Sequence, residues 1–591
     1  MIRDPSTPTT LYYVDSSKKI YRNTALDINL WKPVTDTTFM KKECAHINKT
    51  DGYFADTISN SKLTIYTNGS KNILYVGYYG ISTKSETTKT TCYAFYFSTD
   101  RGATWTTMLA PNGDKLYEKN GAGTKQGPGY ANLGTQGERN FAILADPTDP
   151  RFLYVGGTQA EIFRGDRTFT GNKTNENEGF LWSFLRDMET EGAIIPMFTV
   201  TGTSPHADIR YFDWDHSTNQ LICTNDGGVW IHTKPHGKGD WFHKNGDLSI
   251  TEFVMVAYDS ATDTIAGAAQ DNCIWVSRSS AAEVAAGKSV PGMFYTYNTG
   301  DGVNVAFDSN QSPPVLYATD QEFANFIKVP WIKSGKPPST LFGNIPPKNA
   351  YSFSSTFALN AVNPRYLLVC TNQLRTNYCK RYDMTTGSKN EFPSEKRVRD
   401  NITLSYYKYG GYHNGVPEEN MLFGINVEQK HIIADDKAGF KFHKSPTFVQ
   451  GKTDIAVAMN PRNYYQSYIV DAESNVWQTL DFGATWTNVK GSLYSDIGCR
   501  EMPYAWGSIV IPLAKNNAFV VGTAYGIYVA FDDKMGPHTR WHKLGLSMPN
   551  VLVSSFAYDP KRDLLVTSTM GRGWWQLPKV KPQLTYLHGG M

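Results

Sequence analysis

Residues 205–216 read PHADIRYFDWDH and gather His206, Asp208, Asp213, Asp215 and His216 into the most polar stretch of the chain. Inverting cleavage of a glycosidic bond needs two carboxyl groups roughly 6.5–9.5 Å apart, one of them protonated beside the leaving oxygen. Asp208 and Asp213 are the pair that could supply them, provided both reach one mouth of the fold. A plainer role competes, because Asp213 and Asp215 stand where other repeats carry Asp146, Asp308 and Asp559, at a turn between strands. The spacing of His206 and His216 matches no compact ligand motif, so no metal is expected. Nothing in the sequence calls for a cofactor.

A second constellation occurs twice, as FSTDRGATWTTM (97–108) and QTLDFGATWTNV (478–489). Ser98, Asp100, Gly102 and Trp105 match Thr479, Asp481, Gly483 and Trp486. In a hairpin the Asp accepts hydrogen bonds from turn amides and the Gly supplies a positive φ. The Trp on the following strand is expected to be largely buried between strands. The role is structural: each motif staples a turn.

The elements that carry these residues repeat too. An apolar strand, an Asp/Asn/Pro turn and a second apolar strand recur as FAILADPTDPRFLYVGG (from Phe141), VNVAFDSNQSPPVLYATD (from Val303) and SFAYDPKRDLLVTSTMGRG (from Ser555). The second strand returns near Tyr12, Leu74, Leu153, Leu221, Ile265, Leu316, Leu367, Tyr468, Phe519 and Leu565, with a weaker copy near Leu422. Most spacings are roughly 43 to 62 residues, the period of a four-stranded propeller blade. The expected fold is all-β: one large β-propeller of about ten four-stranded blades spanning 1–591 and closed by the termini, or alternatively two tandem smaller propellers. The chain is expected to begin at a turn with its first strand missing, and PQLTYLHGG near the C-terminus is expected to supply the closing strand. One helix is expected, in SSAAEVAAGK, with a capping box at Ser280 and Glu283.

Polar inserts are expected near 109–138, 166–204 and 380–445, on the faces where binding loops sit. The last contains LSYYKYGGYHNG, which puts Tyr406, Tyr407, Tyr409 and Tyr412 in a Gly-rich loop. Flat faces and hydroxyls suit Tyr to sugars or protein partners. Tyr504 and Trp506, in EMPYAWGS, are a second candidate ligand-binding pair.

The two stapled turns, with TNDGGVWIHT (224–233), GAAQDNCIWVS (267–277), TGDGVNVAFD (299–308) and TMGRGWWQL (569–577), resemble the Asp-box, or BNR-repeat, β-propeller superfamily. Their order is most similar to the sortilin/xyloglucanase branch, and the resemblance runs over nearly the whole chain. It implies the fold and leaves function open, since propellers host many activities. Two catalytic signatures of the superfamily are missing. Ile162-Phe163-Arg164-Gly165 lacks the sialidase F/Y-R-I-P pattern. ERNFAIL places Asn140 near where xyloglucanase-like enzymes carry an acid, and an amide cannot act as a general acid or base.

Composition narrows the functions further. The net charge of +3, with 19% charged residues, gives no nucleic-acid footprint. No run approaches the ~18 apolar residues of a membrane span, and the opening residues hold no apolar signal region. Seven cysteines cannot all pair internally, so they fix no compartment. The leading reading is a non-catalytic surface propeller: an adhesion, receptor-binding, glycan-binding or assembly module at an extracellular, cell or virion surface, as in a phage structural protein. Its partner would be a glycan or a surface protein, within a larger assembly. A glycoside hydrolase using paired Asp residues is the first alternative and a sortilin-like protein-binding receptor domain the second.

Overall fold

An Asp or Asn that recurs at the end of most first strands sets the local geometry. Its side chain accepts the amide two residues on, or three for Asp259, so the chain reverses at a fixed point. Asp146 does this for Thr148 at 2.8 Å, Asp215 for Ser217 at 2.8 Å, Asp259 for Thr262 at 2.7 Å, and Asp308 for Asn310 at 3.1 Å. Asn360, Asn460 and Asp559 do the same for Val362, Arg462 and Lys561. The turn residue in the polar stretch is therefore Asp215, and Asp213 lies within the strand Tyr211–Asp215.

A computed structural model describes the chain apart from residues 16–18, 28, 35–56, 70, 86–87, 109–132, 134–135, 159–161, 167–180, 185–204, 238, 247, 278–293, 298–299, 324–325, 331–340, 344–356, 371–377, 386–394, 401–403, 405, 427–430, 437–438, 445–455, 472, 474, 494, 496–504 and 590–591. The described strands form eleven small antiparallel sheets, ten of four strands and one of three, each built from consecutive strands. Every second strand anticipated from the repeat falls in one of them.

The chain divides into two compact units, Met1–Gly246 and Asp247–Met591. The first holds four sheets, at 2–33, 57–108, 142–184 and 211–243. Its cores lie between consecutive sheets. Ile20 packs with Val76, Tyr78 and Tyr96, then Phe95 with Phe141 and Val155, then Tyr154 with Phe212, Trp214 and Trp230.

The second unit holds seven sheets, at 253–297, 302–343, 357–400, 406–444, 456–488, 505–544 and 553–578. Here each seam has a core, including the seam between last and first. Val256 and Ile265 of the first sheet are buried with Leu564 and Val566 of the seventh. Phe253 stacks on Trp574 at 4.8 Å, Gly573 donates its amide to the Thr251 carbonyl at 3.1 Å, and Arg562 pairs with Asp263 at 3.2 Å. The unit is a closed seven-bladed ring.

Several expectations are corrected. Closure does not use a C-terminal strand, because Val580–Gly589 is an α-helix. Val580, Leu584 and Leu587 recur at helical spacing and enter the core between the last two sheets. Asp563 holds the helix start by accepting the Lys581 amide at 3.1 Å, and Pro582 lies in the first turn, where its missing N–H costs nothing. The first sheet is not short of its first strand: Ile2–Arg3 pairs with Leu11–Val14. A single ring of ten blades gives way to two units, one of which closes on itself.

The stretch 380–445 is not an insert. It completes one sheet with Tyr378–Asp383 and Glu395–Asp400 and contains the whole sheet 406–444. Of the other two stretches, Leu181–Phe184 is the fourth strand of the third sheet. Residues 109–132 and most of 166–204 lie outside the described residues, as does the helix expected at 279–288.

Candidate functional site

Strand directions decide which loops of the first unit meet. In an antiparallel sheet the start of the first strand and the end of the second lie at the same edge. The loops entering Ala142–Ala145 and Tyr211–Asp215 therefore share a rim with the turns leaving Phe152–Gly156 and Gln220–Asn225. The rim is tightly tied. Tyr93 donates its hydroxyl to the Leu133 carbonyl at 3.0 Å, Thr158 its amide to the same carbonyl at 2.6 Å, and Asn60 its side-chain amide to the Gly137 carbonyl at 2.8 Å.

Asp208 sits on this rim. Its amide donates to the Thr158 carbonyl at 3.0 Å, and its φ of 64° lies in the left-handed region. Asp tolerates that region better than most residues because its short side chain bonds locally. Asp208 Oδ1 accepts a hydrogen bond from Nδ2 of Asn140, which is 1% exposed. Asn140 also donates to Gln136 Oε1 at 3.1 Å. Its own Oδ1 is buried without a hydrogen-bond partner among the described residues. An orphaned buried carbonyl costs roughly 1–3 kcal/mol, and such costs gather at functional sites.

Asp226 approaches from the neighbouring turn, and one of its carboxylate oxygens lies within 4.8 Å of one of Asp208. The Arg210 guanidinium clamps Asp226 in a two-pronged pair, Nε to Oδ1 at 2.8 Å and Nη2 to Oδ2 at 2.9 Å. Asn225 Oδ1 accepts the Gly227 amide at 3.0 Å, and its Nδ2 donates to the His206 carbonyl at 2.9 Å. Gly227 is required by contact, since a Cβ there would come within 2.5 Å of His206 Cβ. Gly228, at φ 105°, completes the turn.

Sequence reasoning found Asp208 and His206 but paired Asp208 with Asp213. Asp213 stands on the exposed face of its strand and accepts the Trp214 amide at 2.8 Å. Arg210 and Asp226 were missed, although TNDGGVWIHT carried the signal in its paired glycines. His206 and His216 lie at opposite ends of the strand Tyr211–Asp215, so they cannot share a metal. Asp215 serves its turn: the Ser217 and Thr218 hydroxyls and the Ser217 amide lower its pKa to about 2.

The tyrosines of 406–412 form a strand, Tyr406–His413, and not a loop. Tyr407 and Tyr409 are core residues, and the Tyr407 hydroxyl accepts the Cys370 amide at 3.2 Å, so neither offers a face to a ligand. Tyr406 and Tyr412 are only partly exposed. Tyr407, Tyr409 and Gly411 alternate along the buried face of that strand, and Lys408 is exposed on the other. Tyr504 lies outside the described residues; Trp506 belongs to the strand Ala505–Pro512, and its side chain is also outside them.

The stapled turns are the same network twice. Ser98 and Thr479 each accept the amide of the motif Gly, at 2.8 and 2.9 Å, and donate to the Asp at 2.7 and 2.8 Å. Each Asp also accepts the amide of Thr104 or Thr485 at 2.8 Å, and each Trp donates its indole N–H to the Gly carbonyl at 3.0 Å. Trp105 and Trp486 are half-buried, short of the expected burial, because the indole lies over the turn to reach that carbonyl.

Cys370 and Cys379 face one another across adjacent strands and form a disulfide. Cys223 and Cys273 are buried free thiols, and burial pushes the Cys273 thiol up to about 12. No helix among the described residues is long and apolar enough to cross a membrane.

The small meandering sheets, the closed ring and the stapled turns define a β-propeller protein. Among solved structures the chain is similar to an ancestral GH74 enzyme, with a TM-score of 0.60 and 13% identity over 98% of this chain and 78% of the other. It is also similar to the GH74 enzyme of Niastella koreensis, with a TM-score of 0.51 and 13% identity over 98% and 74%. At this identity the likeness is one of fold alone. No protein-family model and no curated protein matches the chain.

Proposed function

We propose that this chain is a glycoside hydrolase-type propeller that takes a polysaccharide at the rim of its first unit and cleaves it there. The observation that carries the reading is the approach of Asp208 and Asp226 on a rim held in a strained, tightly bonded form. Both oxygens of Asp226 are engaged by Arg210, so it acts as a fixed negative charge beside a sugar that becomes positive in the transition state. Asp208 is the proton-transferring carboxylate: it gives its proton to the leaving oxygen as the glycosidic bond breaks, and the water that bonds to the anomeric carbon returns a proton to it. The likeness to GH74 glycoside hydrolases over nearly the whole chain supports the substrate class.

A second reading, recognition of a glycan without cleavage by an adhesion or assembly module, is favoured by Asn140. It puts an amide against Asp208 where a hydrolytic pair would have an acid. In either reading the Cys370–Cys379 disulfide supports an extracellular, cell-surface or virion-surface setting, since such bonds persist in oxidising compartments.

The test measures release of reducing ends from xyloglucan and other β-linked polysaccharides. Wild-type protein is expected to release them, and Asp208→Asn to lose at least about 100-fold of the rate. The fold should survive, because Asn also tolerates the left-handed backbone and a turned Asn140 amide can present its orphaned oxygen. Binding without release would establish the second reading. Neither binding nor release would sink both.

A further inference from the structure

The strand Tyr211–Asp215 has two unlike faces. Phe212 and Trp214 are buried in the seam with the third sheet. On the opposite face, Tyr211 is 61% exposed and Asp213 is exposed as well. Among the described residues the first unit holds four sheets, and none of them packs on that face. A tyrosine ring so far out of the core on a first strand does nothing for packing.

Alternation along a strand puts residues two apart on one face, roughly 6.5–7 Å from each other. Asp213 Oδ1 takes the Trp214 amide at 2.8 Å, and its other oxygen has no protein partner among the described residues. Tyr211 is in register with Thr224, and Asp213 with Ile222, both partly exposed. At the upper end of the strand Arg210 holds Asp226. The order along this strip is carboxylate rim, aromatic ring, second carboxylate.

We infer that Tyr211 and Asp213 form a sugar-binding subsite that continues the Asp208–Asp226 rim down the strand. The inference rests on the polysaccharide reading above and deepens it. The ligand is a neutral pyranose unit of the chain being processed. Its C–H face stacks on the Tyr211 ring, and a hydroxyl donates to the outward oxygen of Asp213. The ring supplies apolar contact without loss of packing elsewhere, and the carboxylate supplies direction. A sugar seated there hands the next unit of the polymer to the rim.

The test is equilibrium binding of soluble xyloglucan, mixed-linkage β-glucan and galactomannan to the full chain, with melting temperatures alongside. With a polysaccharide that the wild type binds, Tyr211→Ala should weaken binding about tenfold, Tyr211→Phe less than threefold and Asp213→Asn about threefold. All three should melt within a degree or two of wild type, since the side chains are exposed. Wild-type binding that Tyr211→Ala leaves within twofold would overturn the subsite and leave the polysaccharide reading standing. Absence of wild-type binding to all three polymers would overturn the reading itself, and the subsite with it.

Discussion

Asp383 accepts hydrogen bonds from Arg365 through Nε at 2.7 Å and through Nη2, and from the Thr385 hydroxyl at 2.7 Å. The guanidinium first, then the Thr385 hydroxyl and amide, outweigh partial burial and lower its pKa from 3.8 to about 2. A carboxyl whose pKa is lower in the folded than in the unfolded chain stabilises the fold fully above its unfolded pKa. That stabilisation is lost as pH falls through the folded value. The window here runs from about pH 4 down to about pH 2. Asp383→Asn should melt below wild type at pH 7, with the gap narrowing as pH falls from 4 towards 2. A gap that stays constant across this range would show that Arg365 does not hold the charged form. Residues of this kind were legible only where their partners are close in sequence. Asp100 and Asp481 announce their Thr, Ser and Gly partners within five residues. Asp208 and Asn140 are separated by 68 positions, and only the meeting of two blade edges brings them together.

The C-terminal helix shows what element-level reading missed and why. PQLTYLHGG is long enough for the closing strand that a propeller wants, yet Val580, Leu584 and Leu587 follow the period of a helix. In 380–445 the polar composition and the paired Gly410 and Gly411 read as an insert and hide a sheet. Gly410 is needed there: its φ is 69°, and a Cβ would come within 2.3 Å of Asn360 Oδ1. The helix is more than a tail. Leu584 is fully buried with Val529, Phe531, Leu565 and Val580, and His588 pairs with Asp533 at 2.8 Å. Leu584→Ala should destabilise the second unit by about 2–4 kcal/mol, as expected for a buried leucine whose cavity cannot collapse. His588→Ala, which removes a partly exposed hydrogen bond to Asp533 and an edge contact with the Phe531 ring, should cost less, about 1 kcal/mol. Chemical denaturation of the two variants checks the contrast, and equal small effects would mean that the helix is dispensable to the core.

At the scale of the whole chain, the repeat period revealed how many blades to expect but not how they close. Periodicity is a local property, whereas closure depends on side chains some three hundred positions apart, such as Phe253 with Trp574 and Ser554 with the Phe253 carbonyl. The seven sheets of the second unit bury an apolar core at every seam, including this last one. A ring with all its seams filled has satisfied its own hydrophobic demand, and its sheets leave no apolar face that needs a neighbour within the ring. Residues 247–591 expressed alone should therefore fold cooperatively, with β-type circular dichroism and a single melting transition. Trp574→Ala, which opens the closing seam, should lower that transition by several degrees in the fragment and in the full chain alike. A fragment that melts without cooperativity, or a Trp574→Ala effect confined to the full chain, would show that the ring is not self-sufficient and that its closure depends on residues before 247.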